Sequence, residues 1–116
     1  MAPLTATVTL RDSAPVPYTL VELVGEADIT GSETLHSVLE VEIEKRPRLL
    51  VLEMSRLRYM DSVALQAVVW ANNALRKDGG RLALVSPHAT VAQVLHMTEI
   101  DRLVPVYPSV AAATSG

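Results

Sequence analysis

Few side chains in this chain could do chemistry, and the best placed of them is a serine. Tyr59-Met60-Asp61-Ser62 joins an apolar run to a long helical pattern, with Ser62 at or next to the helix N-cap. A serine in that place caps the helix, which is worth about 1 kcal/mol. The same place suits a phosphoserine. Free N–H groups and the positive end of the helix dipole stabilise a charge of about −1.5 to −2.

Other constellations carry less. Cysteine is absent, which removes disulfides, thiolate ligands and a cysteine nucleophile. His36, His88 and His96 are dispersed. His88 and His96 stand eight apart, whereas ligand pairs on a helix stand three or four apart, so no metal site is expected. Ser62, His88 and Asp28 contain the residue types of a hydrolytic triad, but no G-x-S-x-G elbow accompanies them. No catalytic residue and no cofactor are expected. Gly79-Gly80 follows a helix and precedes a strand, the reverse of a phosphate-binding glycine loop.

These residues need elements to hold them. Thr5–Leu10 (TATVTL) alternates with period two and reads as a strand with one wet face. Arg11–Pro17 reads as a turn, and Tyr18–Val24 as a second, antiparallel strand. Gly25–Asp28 reads as a loop. Thr30 with Glu33 fits a capping box, with Ser32 as an alternative cap. The helix that follows gathers Leu35, Val38, Leu39 and Ile43 on one face and ends at Pro47. Leu49–Leu52 and Leu82–Val85 are unbroken apolar runs, as in strands buried on both faces. Ser55–Ser62 reads as a loop and Ser62–Lys77 as a helix closed by Gly79-Gly80. Ser86-Pro87 reads as an N-cap with proline at the first helical position. Leu103–Val106 gives a last strand and Pro108–Ala113 a closing helical turn, with a frayed end beyond. Glu40, Glu42 and Glu44 read as a solvated face. Trp70 reads either as core or as an apolar anchor for a partner.

The expected fold is α/β: one domain over residues 1–116 with its core at about 5–107. A mostly parallel mixed sheet of about five strands carries three to four helices, with the first strand an antiparallel edge. Function in such sheets gathers at the carboxyl ends of the strands.

Composition narrows the classes. The chain has 116 residues, 49% of them hydrophobic, which suits one globular domain. Ten basic residues are scattered among thirteen acidic ones and aromatics are scarce, so direct nucleic-acid binding is not expected. The N-terminus lacks the pattern of a signal peptide. No apolar stretch approaches the ~18–20 residues of a membrane span. The expectation is a cytoplasmic protein, monomeric or weakly dimeric.

Gly25-Glu26-Ala27-Asp28, Leu50-Val51-Leu52-Glu53-Met54-Ser55, Tyr59-Met60-Asp61-Ser62-Val63-Ala64-Leu65 and Gly79-Gly80-Arg81-Leu82-Ala83-Leu84-Val85 together resemble the STAS domain. Val94-Leu95 and Ile100-Asp101-Arg102-Leu103 continue the resemblance, which runs from about Thr5 to Tyr107 and is strongest toward bacterial anti-sigma-factor antagonists. It implies a stress-response switch in transcription. The unphosphorylated form binds an anti-sigma factor, a kinase of the histidine-kinase-like ATPase fold, and frees the sigma factor. Phosphorylation ends that binding, and a metal-dependent Ser/Thr phosphatase resets it. Carried onto this chain, Ser62 is the phospho-acceptor, and Asp28, Asp61, Ser62, Val63 and Ala64 form the partner-binding set. The family commonly reads Asp-Ser-Ser-Gly or Asp-Ser-Thr-Gly there, and this chain has Val63 and Ala64 after Asp61-Ser62. The family's glycine after the third helix is Glu99 here. Two other readings stay open: a STAS scaffold that is not phosphorylated, or a STAS module that binds a small molecule or nucleotide.

Overall fold

The computed structural model describes residues 3–12 and 16–115. Five strands form one sheet in the order β1-β2-β3-β4-β5: Thr5–Arg11, Tyr18–Ala27, Leu49–Met60, Arg81–Val85 and Val106–Tyr107. β1 is the antiparallel edge strand, and every other pair is parallel. The expected turn at Arg11–Pro17 falls partly on residues 13–15, outside the described ones.

Among the described residues, five helices complete the fold: α1 (Ile29–Glu44), α2 (Ser62–Lys77), α3 (Ala89–Met97), α4 (Ile100–Leu103) and α5 (Val110–Thr114). The main core lies between the sheet and α1, α2 and α3. Leu35 and Leu39 of α1, Val68 and Leu75 of α2 and Val91 and Leu95 of α3 pack onto Val21, Leu23, Leu50, Leu52 and Leu84. A smaller core on the other face sets Ala113 of α5 against Val51 and Val85. The runs LLVL and LALV are apolar without alternation because both faces of β3 and β4 are covered. No helix among the described residues is long and apolar enough to cross a membrane.

Several boundaries differ from expectation, each for a physical reason. β2 and β3 run on through segments read as loops. β3 gains one residue on β2 between the pairs Glu22–Glu53 and Val24–Arg56, and another between Gly25–Leu57 and Glu26–Tyr59. Each bulge breaks the period-two pattern that marks a strand. Gly25, with φ 112°, sits at the second shift in a conformation that few side chains adopt. Ser86 does not cap α3. It lies at φ 50°, with its hydroxyl donating to the Pro108 carbonyl at 2.6 Å, so His88 is the N-cap. The fifth helix is α4, a single turn where a strand from Leu103 was expected. Glu99 takes the left-handed conformation (φ 61°, ψ 16°) and redirects the chain into that turn. β5 is therefore only Val106–Tyr107, and Thr114, expected to fray, closes α5. Glu42 is not on a solvated face: it is buried and paired with Lys45 at 3.2 Å.

Candidate functional site

The carboxyl ends of β2 and β3 meet side by side, with Ala27 level with Met60. From each end the chain turns into a helix through an aspartate. Asp28 is the N-cap of α1, its carboxylate accepting from the Gly31 N–H at 3.3 Å. Asp61 is the N-cap of α2, its Oδ1 accepting from the Ala64 N–H at 2.8 Å. Sequence reasoning placed the first cap later, at Thr30 or Ser32, and set Ser62 at or next to the second, where it stands next to it. The structure gives both to aspartate, whose carboxylate also complements the helix dipole.

The two caps are tied together. The Asp61 N–H donates to the Ala27 carbonyl at 3.0 Å. The buried Ser32 hydroxyl donates to Asp61 Oδ1 at 2.5 Å, with the Asp28 carbonyl a second acceptor at 2.7 Å. The carboxylate is the better acceptor of that single proton. Ser32 thus fastens α1 to the start of α2. Gly31 makes the close approach possible, since a Cβ there would lie 2.5 Å from the Glu26 carbonyl oxygen.

Ser62 is the first residue of α2 and is exposed. Its N–H and that of Val63 belong to the helix's first turn, which has no intrahelical acceptors. Val63 beside it is 52% exposed. Ile29, directly after the first cap, and Tyr59, two residues before the second, are exposed as well. Asp28 is half-buried at the same end of the sheet. Sequence reasoning did not single out Ile29, whose exposure follows from its place directly after the Asp28 cap.

Ala64 needs correction as a partner-facing residue. It is 0% exposed, its methyl lying in the main core with Ala67, Val68 and Ala71. The methyl at this position therefore points inward, away from the surface around Ser62. Asp61 is also half-buried, and its Oδ1 is engaged by two donors.

A groove of about 520 Å³ starts at Ser62 and runs along α2. Leu65, Val69 and Trp70 line one side, and Thr98 and Ile100 from the α3–α4 turn line the other. Trp70 is 37% exposed and its ring stacks on His36 of α1 at 4.6 Å between centroids. Trp70 therefore packs on α1 and opens onto the groove, outside both core clusters. The contribution of Thr98 and Ile100 had no signal in the sequence, because it depends on how α4 turns back. His36 lies on α1 while His88 and His96 stand at opposite ends of α3, and no cluster among the described residues has the ligands for a metal ion.

Comparison with known proteins fits this geometry. A family model described as STAS domain matches residues 7–113. A protein of Thermotoga maritima named as a candidate anti-sigma factor antagonist is 34% identical over 64 residues. That match covers 55% of this chain and 57% of the relative, so the chain spans little more than half of the relative's length. The anti-sigma F factor antagonist of Paenibacillus polymyxa is 26% identical over 89 residues, 76% of each chain. In fold, the crystal structure of an anti-sigma factor antagonist from Mycobacterium paratuberculosis superposes with a TM-score of 0.85 at 23% identity, covering 97% of this chain and 92% of that one.

Proposed function

The chain belongs to the STAS domain family, and we propose that it acts within it as an anti-sigma-factor antagonist switched at Ser62. The observation that carries this reading is the position of Ser62: exposed, at the first turn of α2, and held by the Asp61–Ser32 clasp. In this reading Ser62, Val63, Ile29 and Tyr59 form the surface that meets the partner, with Asp28 at its margin. The partner is an anti-sigma factor that is a serine kinase of the histidine-kinase-like ATPase fold. A metal-dependent Ser/Thr phosphatase removes the phosphate, and the exchange takes place in the cytoplasm. The protein itself is a binding protein rather than an enzyme.

The mechanism is electrostatic and steric. A phosphate on Ser62 brings about −1.5 to −2 of charge beside Asp61 and near Asp28. The first-turn N–H groups of α2 and the helix dipole accommodate it, so the fold survives. At the interface, the added charge and bulk oppose binding. Like charges brought together there cost several kcal/mol, and about 2.7 kcal/mol already lowers affinity a hundredfold.

Ser62→Ala should bind the anti-sigma factor like wild type and resist phosphorylation, while Ser62→Asp should bind far more weakly. Loss of binding in Ser62→Ala with the fold intact would show that the surface is elsewhere. The alternative of an unphosphorylated scaffold rests on Val63, which is exposed where the family has serine or threonine. Tight binding to a kinase that leaves Ser62 unmodified would favour it.

A further inference from the structure

The switch surface lies at the carboxyl end of the sheet and leaves its β1 edge unused. β1 pairs only with β2, through seven consecutive residue pairs, and no other strand among the described residues covers its outer side. Natural sheets usually blunt such an edge with proline, lysine, a bulge or an inward charge. Thr5–Leu10 has none of these, and the one charge of β1, Arg11, stands at the end of the strand.

We infer that this edge is a self-association surface, on which β1 pairs antiparallel with β1 of a second copy about a two-fold axis at Val8. The strand is complementary to itself in that register. Val8 meets Val8, Thr7 meets Thr9, Ala6 meets Leu10 and Thr5 meets Arg11, so no like charges face each other. Ala6, Val8 and Leu10 lie on the α1 side of the sheet. Ala6 packs against the main core, while Val8 and Leu10 line a cleft of about 480 Å³ with Glu42 and Lys45 of α1. Leu10 is 65% exposed in the single chain.

The flank of α1 matches the strand. At 100° per residue, Thr34, Val38, Val41 and Lys45 form one stripe. Lys45 lines the cleft with β1, whereas His36 stacks on Trp70 of α2, so the stripe faces the open edge. Val41, 53% exposed, has no cover there. Gly31 lies beside Leu4. With rises of about 3.3 Å per strand residue and 1.5 Å per helix residue, Val8 is level with residue 40 or so of α1. A two-fold axis at Val8 therefore brings Val38 and Val41 of both copies together and sets Lys45 opposite Thr34.

The spacing also fits. α1 lies over β1 and β2. With strands about 4.8 Å apart, continuing the sheet through the axis separates the two α1 axes by about 10 Å, a normal helix packing distance. The seam is one strand of seven residues, about 24 Å long. That places it at the small end of specific interfaces, below about 1,200 Å², and predicts a weak, reversible dimer.

Sedimentation velocity on the full chain from about 10 μM to about 1 mM covers the affinity range of such an interface. The average mass should rise with concentration toward that of two chains. Val41→Glu, on an exposed helix position, should raise the dimer dissociation constant at least about tenfold while leaving circular dichroism and melting temperature unchanged. Val8→Lys should do the same, and Trp70→Ala, on the opposite flank of the helical layer, should not. Amides of Thr5–Leu10 should become more protected from hydrogen exchange as concentration rises. A monomer throughout the range, or a dimer that neither Val41→Glu nor Val8→Lys weakens, would overturn the inference.

Discussion

Replacing Asp61 by alanine should cost at least about two and a half times what replacing Asp28 costs, although both are N-caps at neighbouring strand ends. The Asp61 carboxylate holds the Ala64 N–H at 2.8 Å and the Ser32 hydroxyl at 2.5 Å. A lost cap is worth about 1 kcal/mol. A hydrogen bond to a charged group is worth about 1.5–3 kcal/mol. Ser32 can turn to the Asp28 carbonyl at 2.7 Å, so the lower figure applies and the sum is about 2.5 kcal/mol. For 116 residues, an unfolding entropy of about 2.1 cal/mol/K per residue converts this to a fall of about 10 °C in melting temperature. Asp28 makes one bond, at 3.3 Å, so Asp28→Ala should cost no more than about 1 kcal/mol, or about 4 °C. The assay is thermal and denaturant unfolding of both variants, of Ser32→Ala, and of the Ser32→Ala/Asp61→Ala double variant. The cycle should show about 1.5 kcal/mol of coupling between Ser32 and Asp61. Equal costs for Asp28→Ala and Asp61→Ala, or no coupling, would refute the clasp.

Three further outcomes follow from the same geometry. Gly31→Ala should destabilise by about 1–3 kcal/mol in denaturant titration, because its Cβ would sit 2.5 Å from the Glu26 carbonyl and the first turn of α1 must lift away. Glu99→Gly should raise the melting temperature by an amount equivalent to about 1 kcal/mol. It relieves the left-handed backbone at φ 61° and gives up only an exposed pair with Arg102. Trp70 is the single tryptophan, so its fluorescence should change when a partner fills the groove that starts at Ser62. Trp70→Ala should weaken partner binding, measured by calorimetry, while circular dichroism stays unchanged.

The order of the main elements was legible because the core writes itself into the chain: LLVL and LALV for doubly covered strands, and Leu35, Leu39 and Ile43 for one helix face. The edge position of β1 followed from its short connection to β2, which makes it the antiparallel exception in a mostly parallel sheet. The site was legible as a place but not as a mechanism. Asp28, Thr30 and Ser32 all have capping chemistry within five residues, and only the backbone decides among them. The two bulges in β3 shift its phase, so the strand was cut short after Leu52. The burial of Ala64 was available from its spacing to Ala67, Val68, Ala71 and Leu75, a helical core stripe. The groove was not available, since Thr98 and Ile100 reach it only because Glu99 turns the chain through a left-handed residue.

The central claim is that modification of Ser62 decides whether the partner stays bound. The most direct test isolates the protein from its native cells, growing and stressed, by a mild affinity step. Intact mass and phosphosite mapping are then read on the partner-bound and free fractions. The account predicts a single phosphoryl group on Ser62, with an occupancy that changes between the two conditions, and a bound fraction made up of the unmodified form. Ser62 unmodified in every condition, or phosphorylated equally in the bound and free fractions, would contradict it.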